Sequence, residues 1–136
     1  METFLQIYAF LFGAIVGSFL NVVIYRLPLK KDLVHSRSAC PKCGNQLKWY
    51  HNIPILSYLV LLGKCGFCKT PISPRYPFVE LLAGLFAFYL APRDLSPEQL
   101  LFFFLHFGIA AVFICHFFID LDHHLLLDNL NLYLLV

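Results

Sequence analysis

Two C-x-x-C pairs, Cys40/Cys43 in CPKC and Cys65/Cys68 in CGFC, lie in the one stretch of this chain that is not oily. Their type and spacing fit tetrahedral metal chemistry. Zinc takes four thiolates at roughly 2.3 Å, and a two-residue gap lets both sulfurs of a pair reach one ion. With 21 residues between the pairs, the pattern is close to a zinc ribbon. Thiol–disulfide exchange is the competing chemistry. A second group of reactive residues is Asp120, Asp122 and Asp128, in HFFIDLDHHLLLDNLNL. Carboxylates at the edge of an apolar run are costly and are functional candidates by default. The plain alternative makes Asp120 and Asp122 the polar stop of a helix and Asp128 the N-cap of the next. His116 and His124 each lie one helical turn from Asp120, so metal ligation there is a further reading. His123 and His124 fit better as interfacial side chains.

The elements that must position these groups are membrane helices. Of the 136 residues, 60% are hydrophobic and 13% charged, and 15 are Phe. A soluble domain of this size lacks the polar surface for that composition. The run Phe4 to Ile24 carries no charge and is long enough for a bilayer. A signal peptide would need a basic start, and only Glu2 precedes the run, so a retained helix is expected. The second run, Phe78 to Leu90, is short and contains Glu80. A third run covers Leu100 to Ile119, and a fourth starts at Leu130.

Nine of the ten Lys and Arg residues lie between Arg26 and Arg75, against Asp32 alone. The positive-inside rule then places the cysteine loop in the cytoplasm and Asp120 at the cytoplasmic edge. A reducing cytosol favours metal over disulfides. Lys42, Lys64 and Lys69 also favour thiolates. Cys115 reads as a small apolar packing residue. Between the pairs, WYHNIPILSYLVLLG is expected as a strand or as a short helix on the bilayer surface, with Trp49, Tyr50 and Tyr58 at headgroup level. Topology accounts for the basic charge, so nucleic acid is not an expected partner. The fold class is an all-α polytopic membrane protein, three transmembrane helices plus a truncated fourth, with a small cytoplasmic zinc-ribbon-like lobe. The expected divisions are helix 1 at 1–25, the four-cysteine zinc lobe at 26–76, and helices 2 and 3 with the acidic motif and the start of helix 4 at 77–136.

Three segments resemble the bacterial type IV prepilin peptidases: GSFLNVVIYRLP, the stretch from CPKCGNQLKWYHNIPILSYLVLLGKCGFC through KTPISPRYPFVELLAG, and IDLDHHLLLD. The resemblance implies an inner-membrane aspartyl protease. Such an enzyme cuts leaders from prepilins and pseudopilins at the cytoplasmic face, then methylates the new N-terminus with S-adenosylmethionine. It implies that Asp120 is the first catalytic aspartate, with Asp122 and Asp128 accompanying it. It also implies Zn2+ on Cys40, Cys43, Cys65 and Cys68. Gly63, Lys64, Arg75 and Glu80 are the candidates for contact with cofactor or substrate. Their ordinary roles are a turn, positive-inside charges and an Arg75–Glu80 pair.

Two departures stand out. Leu127 replaces the family's usual proline, and the G-x-G-D motif of the second catalytic aspartate is absent. A lone Asp120 cannot run a two-carboxylate mechanism. Asp122 is a poor substitute, because residues two apart on a helix point about 200° apart. The chain is therefore expected to be the N-terminal part of a longer peptidase, whether as a fragment, one half of a split gene or a degenerate copy. Its missing partner would be a C-terminal half carrying G-x-G-D. Without that half, the expected alternatives are a non-proteolytic zinc lobe and a membrane thiol–disulfide protein.

Overall fold

The stretch between Glu2 and Arg26 contains no proline and no charge, so nothing interrupts a helix. In the computed structural model, which describes residues 2–33, 38–40 and 42–123, it forms α1 (Glu2–Arg26). Glu2 in the first turn and Arg26 in the last both complement the helix dipole. Pro71 and Pro74 keep the chain irregular until α3 (Arg75–Tyr89) begins. Pro77 falls in the first turn, where its missing N–H costs nothing. Helix α4 (Pro97–His123) also starts on a proline. Its entry is shaped by Asp94, which accepts the Ser96 N–H at 2.9 Å, and by the Ser96 carbonyl, which accepts the Leu100 N–H at 3.0 Å.

The α1–α3 pair is packed backbone to backbone. Gly13 and Gly17 lie one turn apart on α1, and a Cβ at Gly13 would sit 2.5 Å from Ala87 Cβ. A Cβ at Gly17 would sit 2.7 Å from the Cα of Glu80. Across the seam, Ala83 and Ala87 are fully buried, and a Cβ at Gly84 would strike the Phe10 ring. This is the small-xxx-small packing by which apolar helices associate where no hydrophobic effect drives them together. Asn21 adds one polar tie, donating to the Tyr76 carbonyl at 3.0 Å.

Helix α4 lays one stripe, Phe103, Phe107, Ile114 and Phe118, against this pair. Cys115 packs beside the stripe, in the apolar role expected of it. Most other large side chains of α4, such as Leu101, Phe113 and Phe117, are exposed.

Among the described residues, two helices are long and apolar enough to cross a membrane: Glu2–Arg26 and the 97–122 part of α4. With 15 residues, α3 is about 22 Å long, short of a 30 Å hydrocarbon core. The expected second span, Phe78 to Leu90, is therefore a shorter helix clasped to α1, and the start of a fourth lies outside the described residues. The stretch between the cysteine pairs is a 3-10 turn (Trp49–Asn52) followed by the short helix α2 (Leu56–Val60).

Candidate metal centre and acidic helix end

Each C-x-x-C pair is the tip of a small knuckle, and the two knuckles are the same structure displaced by 25 residues. In the first, Cys40 N–H donates to Asn45 O, Gly44 N–H to Cys40 O, and Leu47 N–H to Ser38 O. In the second, Cys65 N–H donates to Thr70 O, Lys69 N–H to Cys65 O, and Ile72 N–H to Gly63 O. The bridges Ala39–Gln46 and Lys64–Pro71 repeat at the same offset. Both knuckles turn on a left-handed residue at the matching position, Gly44 (φ 69°) and Lys69 (φ 58°). The His51 ring links the 3-10 turn to the second knuckle by lying 3.0 Å from the place of a Gly66 Cβ and edge-on to Phe67.

The knuckles face each other. All four sulfurs, from Cys40, Cys43, Cys65 and Cys68, lie within 4.8 Å of one another, and Cys40 Sγ is 3.8 Å from Cys68 Sγ. A tetrahedron with metal–sulfur bonds of 2.3 Å has edges of about 3.8 Å. A disulfide would bring two sulfurs to about 2.05 Å, and all four thiols are free. The donor set therefore fits a tetrahedral metal ion. Hydrogen bonds prepare the thiolates. The Thr70 hydroxyl, 3.1 Å from Cys68 Sγ, and the Thr70 N–H lower the Cys68 pKa to about 6. The N–H groups of Cys43 and Lys42 pull Cys40 below its ordinary value. At Cys43 the Asn45 N–H pulls down, but desolvation and the neighbouring sulfurs outweigh it and raise the thiol.

At the far end of α4, the acidic residues part company. Asp122 continues the buried stripe of Phe118 and forms an ion pair with Arg75 of α3. The Arg75 guanidinium also lies over the Phe118 ring, 5.6 Å from its centroid. Asp120, partly exposed, makes no hydrogen bond or ion pair among the described residues. By helix geometry it points about 200° away from Phe118 and so away from α3. Asp128 and His124 lie outside the described residues.

The four residues proposed from sequence for cofactor or substrate contact occupy separate niches. Gly63 makes a left-handed turn under the Tyr58 ring, and Lys64 is exposed beside its bridge to Pro71. Arg75 holds Asp122 rather than Glu80. Glu80 is 8% exposed, accepts the Ile55 N–H at 2.7 Å, and is hydrogen-bonded by Ser18. The Tyr58 ring thus covers Gly63, and Ile55 and Ser18 engage the Glu80 carboxylate.

Two helices long and apolar enough to cross a membrane, a four-cysteine cluster with the geometry to hold a metal ion and an acidic helix end make up this part of the molecule. Residues 11–93 match the family model described as the bacterial peptidase A24 N-terminal domain. The chain belongs to that family. It is 46% identical over 125 residues to a prepilin leader peptidase/N-methyltransferase of Myxococcus xanthus, covering 88% of this chain and 35% of the relative. A protein of the same name from Legionella pneumophila is 39% identical, covering 97% of this chain and 53% of the relative. One from Vibrio cholerae is 52% identical over 82 residues, covering 54% of this chain and 32% of the relative. The chain thus spans between about a third and about half of the length of these curated relatives. No solved structure matches.

Proposed function

We propose that the chain is the N-terminal portion of a prepilin leader peptidase and N-methyltransferase of the bacterial inner membrane. In this reading the cysteine lobe is cytoplasmic, zinc occupies the four-thiolate site, and the substrates are prepilins or pseudopilins. α1, α3 and α4 would be the first three membrane helices, with α3 sunk beside α1. Zinc would tie the knuckles together without touching substrate, since all four of its positions are filled by sulfur.

One observation carries the catalytic part. Within a single D-x-D, Asp122 is held by Arg75, while Asp120 makes no hydrogen bond or ion pair among the described residues and by helix geometry projects about 200° from Phe118. An aspartyl protease needs two carboxylates sharing one proton around a water. In this reading Asp120 would meet a second carboxylate brought from outside this bundle, while Asp122 stays with Arg75. One of the two would take a proton from the water while the other donates to the scissile carbonyl. N-methylation enters this reading from the relatives' name, and S-adenosylmethionine as methyl donor from the resemblance alone.

The test is co-expression of this chain with a C-terminal half carrying G-x-G-D and a prepilin substrate. Leader cleavage is expected only when both halves are present, and Asp120→Asn is expected to abolish it. Cleavage surviving in Asp120→Asn would remove Asp120 from the mechanism.

A further inference from the structure

The cysteine lobe carries an apolar face that neither the metal site nor the helix bundle uses. Leu56, Leu59 and Val60 share one side of α2 at i, i+3 and i+4 spacing, and all three are exposed. Leu62 (83% exposed) and Trp49 (80% exposed), at the two ends of the Trp49–Leu62 segment, are uncovered as well. The opposite side of α2 is used internally, through Tyr58, whose hydroxyl reaches the Ile72 carbonyl and whose ring covers Gly63.

Two contacts fix where this face lies relative to the helices. The Ile55 N–H, just before α2, is bonded to Glu80 Oε2 at 2.7 Å. Glu80 lies five residues into α3, about 7.5 Å along the axis from Arg75, and helical side chains lean back toward the N-terminus. The start of α2 is therefore level with the first turns of α3. On the other flank, Trp49, Tyr50 and Asn52 share a cleft of about 710 Å3 with Phe19, Val22 and Arg26 of α1. Phe19 lies about 10 Å inward of Arg26 along α1. The lobe therefore rests against the terminal turns of both helices instead of projecting clear of them.

We propose that Trp49–Leu62 is a membrane-interface anchor. Its leucines, Val60 and Trp49 enter the headgroup and upper-chain layer of an anionic bilayer, and Glu80 pins it at that depth. Three features select lipid as the occupant. The Trp49–Tyr50 end of the face opens into the cleft shared with Phe19 and Val22 of α1. Its tip combines Trp49 and Tyr50, packed edge-on at 5.6 Å, as interfacial anchors do. Lys48 and Lys64 flank the apolar stretch and supply charge for anionic headgroups. The proposal rests on the reading of α1 and α4 as membrane helices.

Trp49 is the only tryptophan in the chain, so its fluorescence reports this face directly. The test uses the full chain in phosphatidylethanolamine–phosphatidylglycerol vesicles containing phosphatidylcholine brominated either near the glycerol end or near the methyl end of its acyl chains. Shallow bromines are expected to lower Trp49 emission at least about twofold, deep bromines much less, with poor access for acrylamide, as an interfacial ring requires. Leu59→Glu/Val60→Glu is expected to shift emission to the red and restore acrylamide access. A chain that survives alkaline extraction from the vesicles yet shows no lipid quenching of the unmutated protein overturns the anchor while sparing the membrane reading. A chain released by alkaline extraction overturns both.

Discussion

Arg75 and Asp122, 47 residues apart in sequence, close an ion pair between the start of α3 and the end of α4. Arg75 follows the second cysteine knuckle by seven residues, so the pair couples the metal lobe to the acidic helix end. Charge reversal at Arg75 (Arg75→Glu) should reduce leader cleavage in the two-half assay and leave thermal stability nearly unchanged. The pair is partly exposed, so its contribution to stability is about 1 kcal/mol or less. The double reversal Arg75→Glu/Asp122→Arg should recover cleavage; if it recovers none, the pair does not position the α4 end.

Metal retention should follow thiolate hydrogen bonding. Cys68 titrates near 6 in the folded lobe against an ordinary value of 9.0. Between those values the unfolded chain binds more protons, so folded stability rises with pH. The contribution is complete above about pH 9 and is lost as pH falls through about 6. A metal competing with protons for the same sulfurs follows the same direction. Acidification should release the metal, and Thr70→Val should move the release midpoint to higher pH. Zinc release recorded with a chromogenic chelator across a range of about pH 4–9 checks this.

The duplicated knuckles make a stability prediction. Lys69 holds a left-handed conformation that its counterpart Gly44 adopts without strain. Lys69→Gly should stabilise the lobe by about 1 kcal/mol, and Gly44→Ala should destabilise it by a similar amount. Chelator resistance of the two variants should therefore move in opposite directions.

At the α1–α3 seam, Gly17→Val should be severely disruptive. Its Cβ alone would lie 2.7 Å from the Glu80 backbone. Overpacking of a close-packed seam costs typically about 1–3 kcal/mol, and here backbone must move. Engineered cysteines at Ala9 and Ala87 should cross-link while Gly17 is intact and lose that cross-link when Gly17→Val is added. Glycine-to-alanine at Gly108, which has open space, serves as the neutral control.

The cysteine cluster was legible because metal geometry demands a fixed residue type at a fixed spacing, and few other constraints produce C-x-x-C twice. The long apolar runs were legible for a similar reason, though their starts were not. Pro97 and Glu98 look like loop residues, yet proline and an acid suit the first turn of a helix. GAIVG, from Gly13 to Gly17, was a readable packing signal that apolar composition masked. The 25-residue repeat was faint because only the cysteines and the turn positions repeat, and Lys69 breaks the glycine match. The bond from Ile55 to Glu80 had no sequence mark at all, since any residue but proline can supply a backbone N–H. The Arg75–Asp122 pair was equally hidden, because sequence offered Glu80 as the nearer partner.

The glycine seam described above also acts as a closed door. With α1 and α3 touching main chain to main chain, no guest helix can slip between them. In the proposed reading, a hydrophobic stem arriving sideways through the lipid would meet the outer flank of α4 instead. That is the flank on which Asp120 stands.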